Sequence, residues 1–187
     1  MDQAAPQWDR YADERFFPGI LTAEECAAIV ADHTGAKAWT SAFEVGGKQY
    51  RSTDLVFLQR DATTKWLFER VEQPTKAWNA DFGFVIDHCS MLQLARYRPG
   101  QGYQWHADLG IKENSLRKLT TVVMLSPSEA YTGGRLEFFK SDEIQQSFPL
   151  KAGDAVVFPS WVKHRVTDVE QGERWTLSAW WLGPPFR

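Results

Sequence analysis

His106 and Asp108 stand two residues apart, His164 follows the aspartate by 56 residues, and Arg174 comes ten residues later. Two imidazoles and one carboxylate are a nitrogen and oxygen donor set for a divalent transition metal, and three protein ligands on one face leave positions open for reactants. Zn(II) would fit the same atoms without redox chemistry, so these residues specify a divalent site rather than one metal. An isolated H-x-D is weak evidence: four His and twelve Asp produce one by chance roughly a quarter of the time.

To serve one ion, His106 and Asp108 must project together, as alternate residues of a strand do, with Ala107 turned away. His164 must then arrive from a later strand. The pattern predicts strands over Ser90 to Arg98, Leu119 to Leu125, Arg135 to Phe139, Ala155 to Phe158, His164 to Val166 and Arg174 to Leu182, between Gly- or Pro-bearing loops. Along the last of these, Arg174, Thr176, Ser178 and Trp180 share one face, and Trp175, Leu177, Ala179 and Trp181 the other. An arginine turned inward is costly unless an anion meets it, which makes Arg174 the candidate for an anionic ligand; the alternative is an exposed strand-end arginine.

Upstream, Thr22 and Glu25 have the spacing of a capping box, and Cys26, Ile29 and Val30 give the helix that follows an apolar face. Residues 37 to 60 read as extended, with a hairpin turn at Val45-Gly46-Gly47-Lys48 and a strand at Asp54 to Leu58. A second helix is expected from Ala62 to Asn79, with Trp66, Leu67, Val71 and Trp78 near one face and Pro74 bending it or starting a new turn. The first fifteen residues are polar and expected to fray. Short strands behind two helices give an α+β layout in which two antiparallel sheets pack together, though periodicity cannot order the strands.

A length of 187 residues with 43% hydrophobic and 24% charged content suits one domain with a full core. The net charge of −3, without a basic block, argues against a nucleic-acid partner or an anionic membrane surface. No basic, apolar leader opens the chain and no apolar run is long enough for a bilayer, so a cytoplasmic protein is expected. Cys26 and Cys89 lack metal-type spacing and read as free thiols, Cys26 as a buried one. His33 at a helix end and His88 before a strand read as structural.

Around the ligand candidates stand Tyr97-Arg98-Pro99-Gly100-Gln101-Gly102-Tyr103-Gln104-Trp105-His106-Ala107-Asp108, Gly133-Gly134-Arg135-Leu136, Gly153-Asp154-Ala155-Val156-Val157-Phe158, His164-Arg165-Val166 and Gly172-Glu173-Arg174. This series resembles the prolyl-4-hydroxylase-like, PKHD-type branch of the Fe(II)/2-oxoglutarate-dependent dioxygenases, with Y-x-P-G-x-x-Y-x-x-H-x-D, G-G-x-L, G-D-x-x-x-F, H-x-V and a late basic residue in order. The likeness covers residues 88 to 183, and more weakly Phe16 to Thr22.

The resemblance implies a double-stranded β-helix (jelly-roll) core over about 88–183, supported by helices within 16–87, in one domain spanning 1–187. It implies Fe(II) on His106, Asp108 and His164, 2-oxoglutarate held by Arg174 with Tyr97, Thr120 and Thr176 as further contacts, O₂ as co-reactant, and ascorbate as reductant. The family often has a second Tyr on the strand where this chain has Thr121-Val122-Val123-Met124. The expected reaction is hydroxylation of an aliphatic C–H with release of succinate and CO₂; the retained Asp108 argues against halogenation, which needs that carboxylate replaced by a small residue.

For the substrate, Tyr103, Trp105 and Trp180 are the aromatic candidates, and the Val45 to Thr53 hairpin is placed to cover the mouth. A prolyl residue in a protein or peptide is the favoured substrate, a free amino acid or small metabolite the second reading, and a non-catalytic cupin-like metal-binding module the third. The sequence sets no oligomeric state.

Overall fold

Asp61 delays the second helix. Its Oδ1 accepts from the backbone N–H groups of Thr63 (2.8 Å) and Thr64 (3.0 Å), a turn that competes with helix, so that helix starts at Lys65 rather than Ala62. The computed structural model describes residues 14–35, 39–45, 48–140, 143–146 and 150–186. In chain order these form β1 (Arg15–Phe17), α1 (Ala23–Thr34), β2 (Trp39–Val45), β3 (Lys48–Leu58), α2 (Lys65–Phe82), β4 (His88–Tyr97), β5 (Tyr103–His106), β6 (Arg117–Met124), β7 (Tyr131–Gly133), β8 (Leu136–Lys140), β9 (Glu143–Gln146), β10 (Ala155–Pro159), β11 (His164–Val166), β12 (Val169–Gly172) and β13 (Arg174–Leu182).

The first helix begins as expected, with Thr22 and Glu25 closing a reciprocal capping box and Cys26 and Ile29 buried. Helix α2 continues through Pro74, which is buried with Leu67, Phe68, Val71 and Trp78; packing of that stripe offsets the hydrogen bond that the proline cannot donate. Trp66, expected on this face, is 40% exposed, because the buried stripe runs through 67, 68, 71, 75 and 78 and leaves it to one side. No helix among the described residues is long and apolar enough to cross a membrane.

The strands form one curled antiparallel sheet in the order β1-β10-β6-β13-β4-β3-β5-β11-β8-β9, with β2 also paired to β3, plus a small β12-β7 pair. This is a double-stranded β-helix core with its helices to one side. Alternation along the strands separates two apolar clusters. Trp175, Leu177, Ala179 and Trp181 of β13 pack with Leu92 and Leu94 of β4 against Phe68, Val71 and Trp78 of α2. Ala95, Tyr97, Val122, Met124, Phe138 and Phe158 face the interior of the roll. The buried hydroxyls of Thr75 and Thr121 lie 2.7 Å apart, and Trp181 donates to Thr121 at 3.1 Å, which fixes α2 on the sheet. Cys26 and Cys89 are buried free thiols, and His33 caps its own helix through Nδ1 to the Ile29 carbonyl.

Strands β1, β7, β9 and β12, each three or four residues long, were not expected from the alternation. The hairpin expected at residues 45–48 is present as β2 paired with β3, with Val45 opposite Lys48; Gly46 and Gly47 lie outside the described residues. Gly153 has φ +90, and a Cβ there would stand 2.0 Å from the Leu21 carbonyl oxygen, at the joint between β10 and the start of α1. Gly153→Ala should therefore lower stability by about 1–3 kcal/mol from backbone strain alone, measured by urea unfolding; an unchanged midpoint would show that this joint can relax.

Candidate functional site

Strand β11 pairs antiparallel with β5 and sets His164 opposite His106, with ring centroids 4.2 Å apart. Asp108 places Oδ1 3.8 Å from His106 Nε2 and Oδ2 3.7 Å from His164 Nε2, and the three ligand atoms all lie within 4.8 Å of one another. These gaps exceed hydrogen bonds and leave room for an ion at ordinary ligand distances of about 2.0–2.2 Å. Each Nδ1 sits at a carbonyl, His106 on Gln104 (2.7 Å) and His164 on Val162 (3.0 Å). A carbonyl only accepts, so Nδ1 carries the proton in both rings and Nε2 presents its lone pair to the centre.

Electrostatics favour the same state. Burial, then the neighbouring His164, push His106 down to about 4, so it is neutral at neutral pH. Burial alone would raise Asp108, but the two imidazoles and the Thr120 hydroxyl outweigh it and hold the carboxyl below its usual value. Neutral imidazoles and an ionised carboxylate are the forms a divalent metal binds.

The route to this arrangement differs from the expected one. Strand β5 ends at His106, and Asp108 lies beyond it, where Leu109 N–H bonds to the Ser160 carbonyl (2.7 Å) and Arg117 Nη1 to the Asp108 carbonyl (3.3 Å). These bonds draw the segment out of the ladder, so a turn rather than strand alternation brings the carboxylate to the histidines. Its orientation comes from Thr120, whose hydroxyl donates to Asp108 Oδ2 at 2.7 Å and lies 3.0 Å from Ser160 Oγ. Thr120, expected to serve the cosubstrate, thus directs its hydroxyl to a metal-ligand candidate instead.

Arg174 is 1% exposed, and its Nε and Nη2 have no hydrogen-bond partner among the described residues. Its Cζ lies 5.5 Å from the Tyr97 ring centre, across the β13–β4 ladder where the two residues are opposite. Gly134, at φ +57, makes room for it: a Cβ there would come within 2.8 Å of Arg174 Cδ. The guanidinium, Tyr97, Thr176 and the three ligand candidates all line one cavity of about 370 Å³. A buried, unpaired guanidinium beside a ligand triad calls for an anion, and a carboxylate matches its fork geometry.

Tyr103 and Trp180 also line the cavity, Tyr103 stacked on His106 at 3.5 Å. Trp105 does not; it packs edge-on against Phe139 (5.8 Å) and under Arg165, outside the cavity, which corrects its assignment as a substrate contact. Of the described part of the hairpin, Arg51 reaches the cavity. Arg51, Gln93, Arg117 and Ser160 were not anticipated. Gln93 was legible, since it alternates with Ala95 and Tyr97 on β4, whereas Arg51 arrives only through the long-range pairing of β3 with β5.

Residues 92–182, which contain the triad and Arg174, match the 2OG-Fe(II) oxygenase superfamily. The chain is similar to a PKHD-type hydroxylase of Synechococcus sp. (strain CC9605), 34% identical over 89 residues that cover 48% of this chain and 40% of the relative. It spans about half the length of the curated relatives it matches. Among solved structures it is similar to a Pseudomonas putida prolyl-4-hydroxylase, with TM-score 0.74, 22% identity and coverage of 94% of this chain and 96% of that one. A Trichoplax adhaerens prolyl hydroxylase, solved with a hypoxia inducible factor peptide fragment, gives TM-score 0.74 at 15% identity over 94% of this chain and 86% of that one. At these identities the structural likeness shows a shared fold.

Thr120→Val keeps the shape of the side chain and removes the hydrogen bond to Asp108. Mn(II) affinity should fall about ten- to a hundredfold while the circular dichroism spectrum is unchanged. Equal affinity in titrations of both proteins would deny Thr120 its orienting role.

Proposed function

We propose, for a chain that belongs to the 2OG-Fe(II) oxygenase superfamily and to its PKHD-type branch, an Fe(II)- and 2-oxoglutarate-dependent hydroxylation of an aliphatic C–H. The observation that carries this reading is the unpaired, buried Arg174 in the same cavity as a triad whose Nε2 atoms are left free. His106, Asp108 and His164 hold the metal, which when bound supplies the redox chemistry that couples 2-oxoglutarate and O₂ to C–H hydroxylation, with succinate and CO₂ as co-products. Arg174 takes the distal carboxylate of 2-oxoglutarate through Nε and Nη2, beside Thr176 and Tyr97. Val122 lines the same cavity and offers no hydroxyl to that carboxylate, so Arg174 carries more of the binding.

The favoured substrate is a prolyl residue in a peptide or protein. Tyr103 and Trp180 give the cavity aromatic walls on which a pyrrolidine ring can pack, and the solved neighbours include prolyl hydroxylases. A free amino acid or small metabolite is the second reading, favoured in its acidic members by two further arginines that line the cavity.

With Fe(II), 2-oxoglutarate and a proline-containing peptide, the protein should release succinate in proportion to hydroxylated product, and His164→Ala should lose both metal and turnover. Arg174→Ala should keep the metal and raise the 2-oxoglutarate requirement by about ten- to a hundredfold, roughly 1.5–3 kcal/mol of charged hydrogen bonding. Absence of substrate-dependent succinate across peptides and amino acids would sink the enzymatic reading, and an unchanged requirement in Arg174→Ala would move the cosubstrate elsewhere.

A further inference from the structure

Arginine pairing divides this protein in two. Arg15, Arg60, Arg70, Arg96, Arg98, Arg135 and Arg165 each pair with a carboxylate side chain. Among the described residues the arginines without such a partner are Arg51, Arg117 and Arg174, and all three line the one cavity that holds the triad. Arg174 answers to 2-oxoglutarate on the reading above. Arg51 and Arg117 are two cations beyond what that cosubstrate needs.

Both are mounted next to the metal-ligand candidates. Arg51 Cζ lies 4.6 Å from the centre of the Tyr103 ring, which itself stacks on His106, and Arg51 Nε is buried without a hydrogen-bond partner. Arg117 Cζ lies 4.1 Å from the centre of the Trp180 ring, and its Nη1 reaches the Asp108 carbonyl at 3.3 Å. Aromatic faces of this kind hold a guanidinium in place without neutralising it. Glu113 lines the cavity but is exposed and forms no ion pair with either arginine among the described residues.

The charge count points the same way. Three arginines face two carboxylates, Asp108 and Glu113, in the cavity lining. A divalent metal and dianionic 2-oxoglutarate cancel, so one positive charge is left for the remaining ligand. We infer that the hydroxylated substrate carries a carboxylate, taken by Arg51 and Arg117 beside the metal. The inference rests on the reading of the site as a 2-oxoglutarate-dependent hydroxylase, and it names what that reading leaves open. Because Arg117 touches the backbone of Asp108, the carboxylate lies close to the reacting carbon. It is therefore the α-carboxylate of a free or chain-terminal residue, or an acidic side chain adjoining the hydroxylated one.

The test uses the Mn(II) and 2-oxoglutarate complex of the full chain, with calorimetry for affinity. One matched pair of probes is N-acetyl-L-proline against N-acetyl-L-prolinamide; the other is a doubly blocked peptide with Asp beside Pro against the same peptide with Asn. In at least one pair the acid should bind tenfold or more tightly than its neutral partner, and the pair that shows it identifies the source of the carboxylate. The Arg51→Gln variant should bind Mn(II) and 2-oxoglutarate normally and discriminate less than threefold, while Arg51→Lys recovers part of the preference; Arg117 is kept in place because its guanidinium also bonds the Asp108 carbonyl. Equal binding of acid and neutral probes, or no binding of either acid, overturns the inference. Failure of the wild-type protein to bind 2-oxoglutarate would instead overturn the functional reading, so the two outcomes are separable.

Discussion

The register between β5 and β11 fixes His164 opposite His106, and a slip of one residue would turn one imidazole out of the cavity. A strand as short as β11 cannot hold that register by its own hydrogen bonds. Its other edge pairs with β8, where His164 faces Phe138, and Phe138 and Phe158 pack around the imidazole at 6.2 and 4.8 Å. Beyond the edge, the Phe139 N–H bonds to Lys163 O and the Thr167 N–H to Arg135 O, which clamps both ends of the pairing. The site is thus as rigid as the apolar packing behind it, and a change in that packing would be read as a displaced ligand atom.

Around this register the protein concentrates buried charge that it treats in two ways. Asp108 is met internally by the Thr120 hydroxyl, and its carboxyl is held below the usual value. Arg174 is not, although a buried charge without a partner costs on the order of several kcal/mol. Stability given up at Arg174 returns when an anion binds, which couples occupancy to folding. Gly134, with φ +57 and no Cβ, leaves clear the path of the Arg174 side chain, whose guanidinium lies beside Tyr97.

How much of this the sequence revealed depends on whether contacts were local or distant. The last strand was legible residue by residue: Arg174, Thr176, Ser178 and Trp180 line the cavity while Trp175, Leu177, Ala179 and Trp181 enter the helix-facing core, because alternation is a property of a single strand. The triad was legible because its ligand types and order survive in sequence. The position of Asp108 was not, since the bond from Leu109 to Ser160 that removes it from the strand joins segments 51 residues apart. Thr120 was assigned to the wrong carboxylate for the same reason: its face of β6 was predictable, but Ser160 and Asp108 reach it from elsewhere. Trp105 shows the limit of aromatic proximity, for a residue next to a ligand in sequence points to the other side of its strand.

The mouth of the cavity follows a different logic from its floor. Arg51 reaches the site through its pairing with Tyr103, supported by the bond from the Ser52 N–H to the Gly102 carbonyl (2.9 Å). The segment that ends in His106 is therefore also the dock for the strand that brings Arg51. Backbone movement of this dock would disturb the metal-ligand candidate, whereas exchange of the Arg51 side chain would not. Arg117 differs: its backbone belongs to the β6 ladder, but its guanidinium bonds the Asp108 carbonyl as well as lining the cavity, so its exchange would reach a metal-ligand candidate. A scaffold built this way keeps its reaction chemistry fixed by register and leaves substrate charge to two side chains, so relatives that share the motifs are free to differ in what they admit.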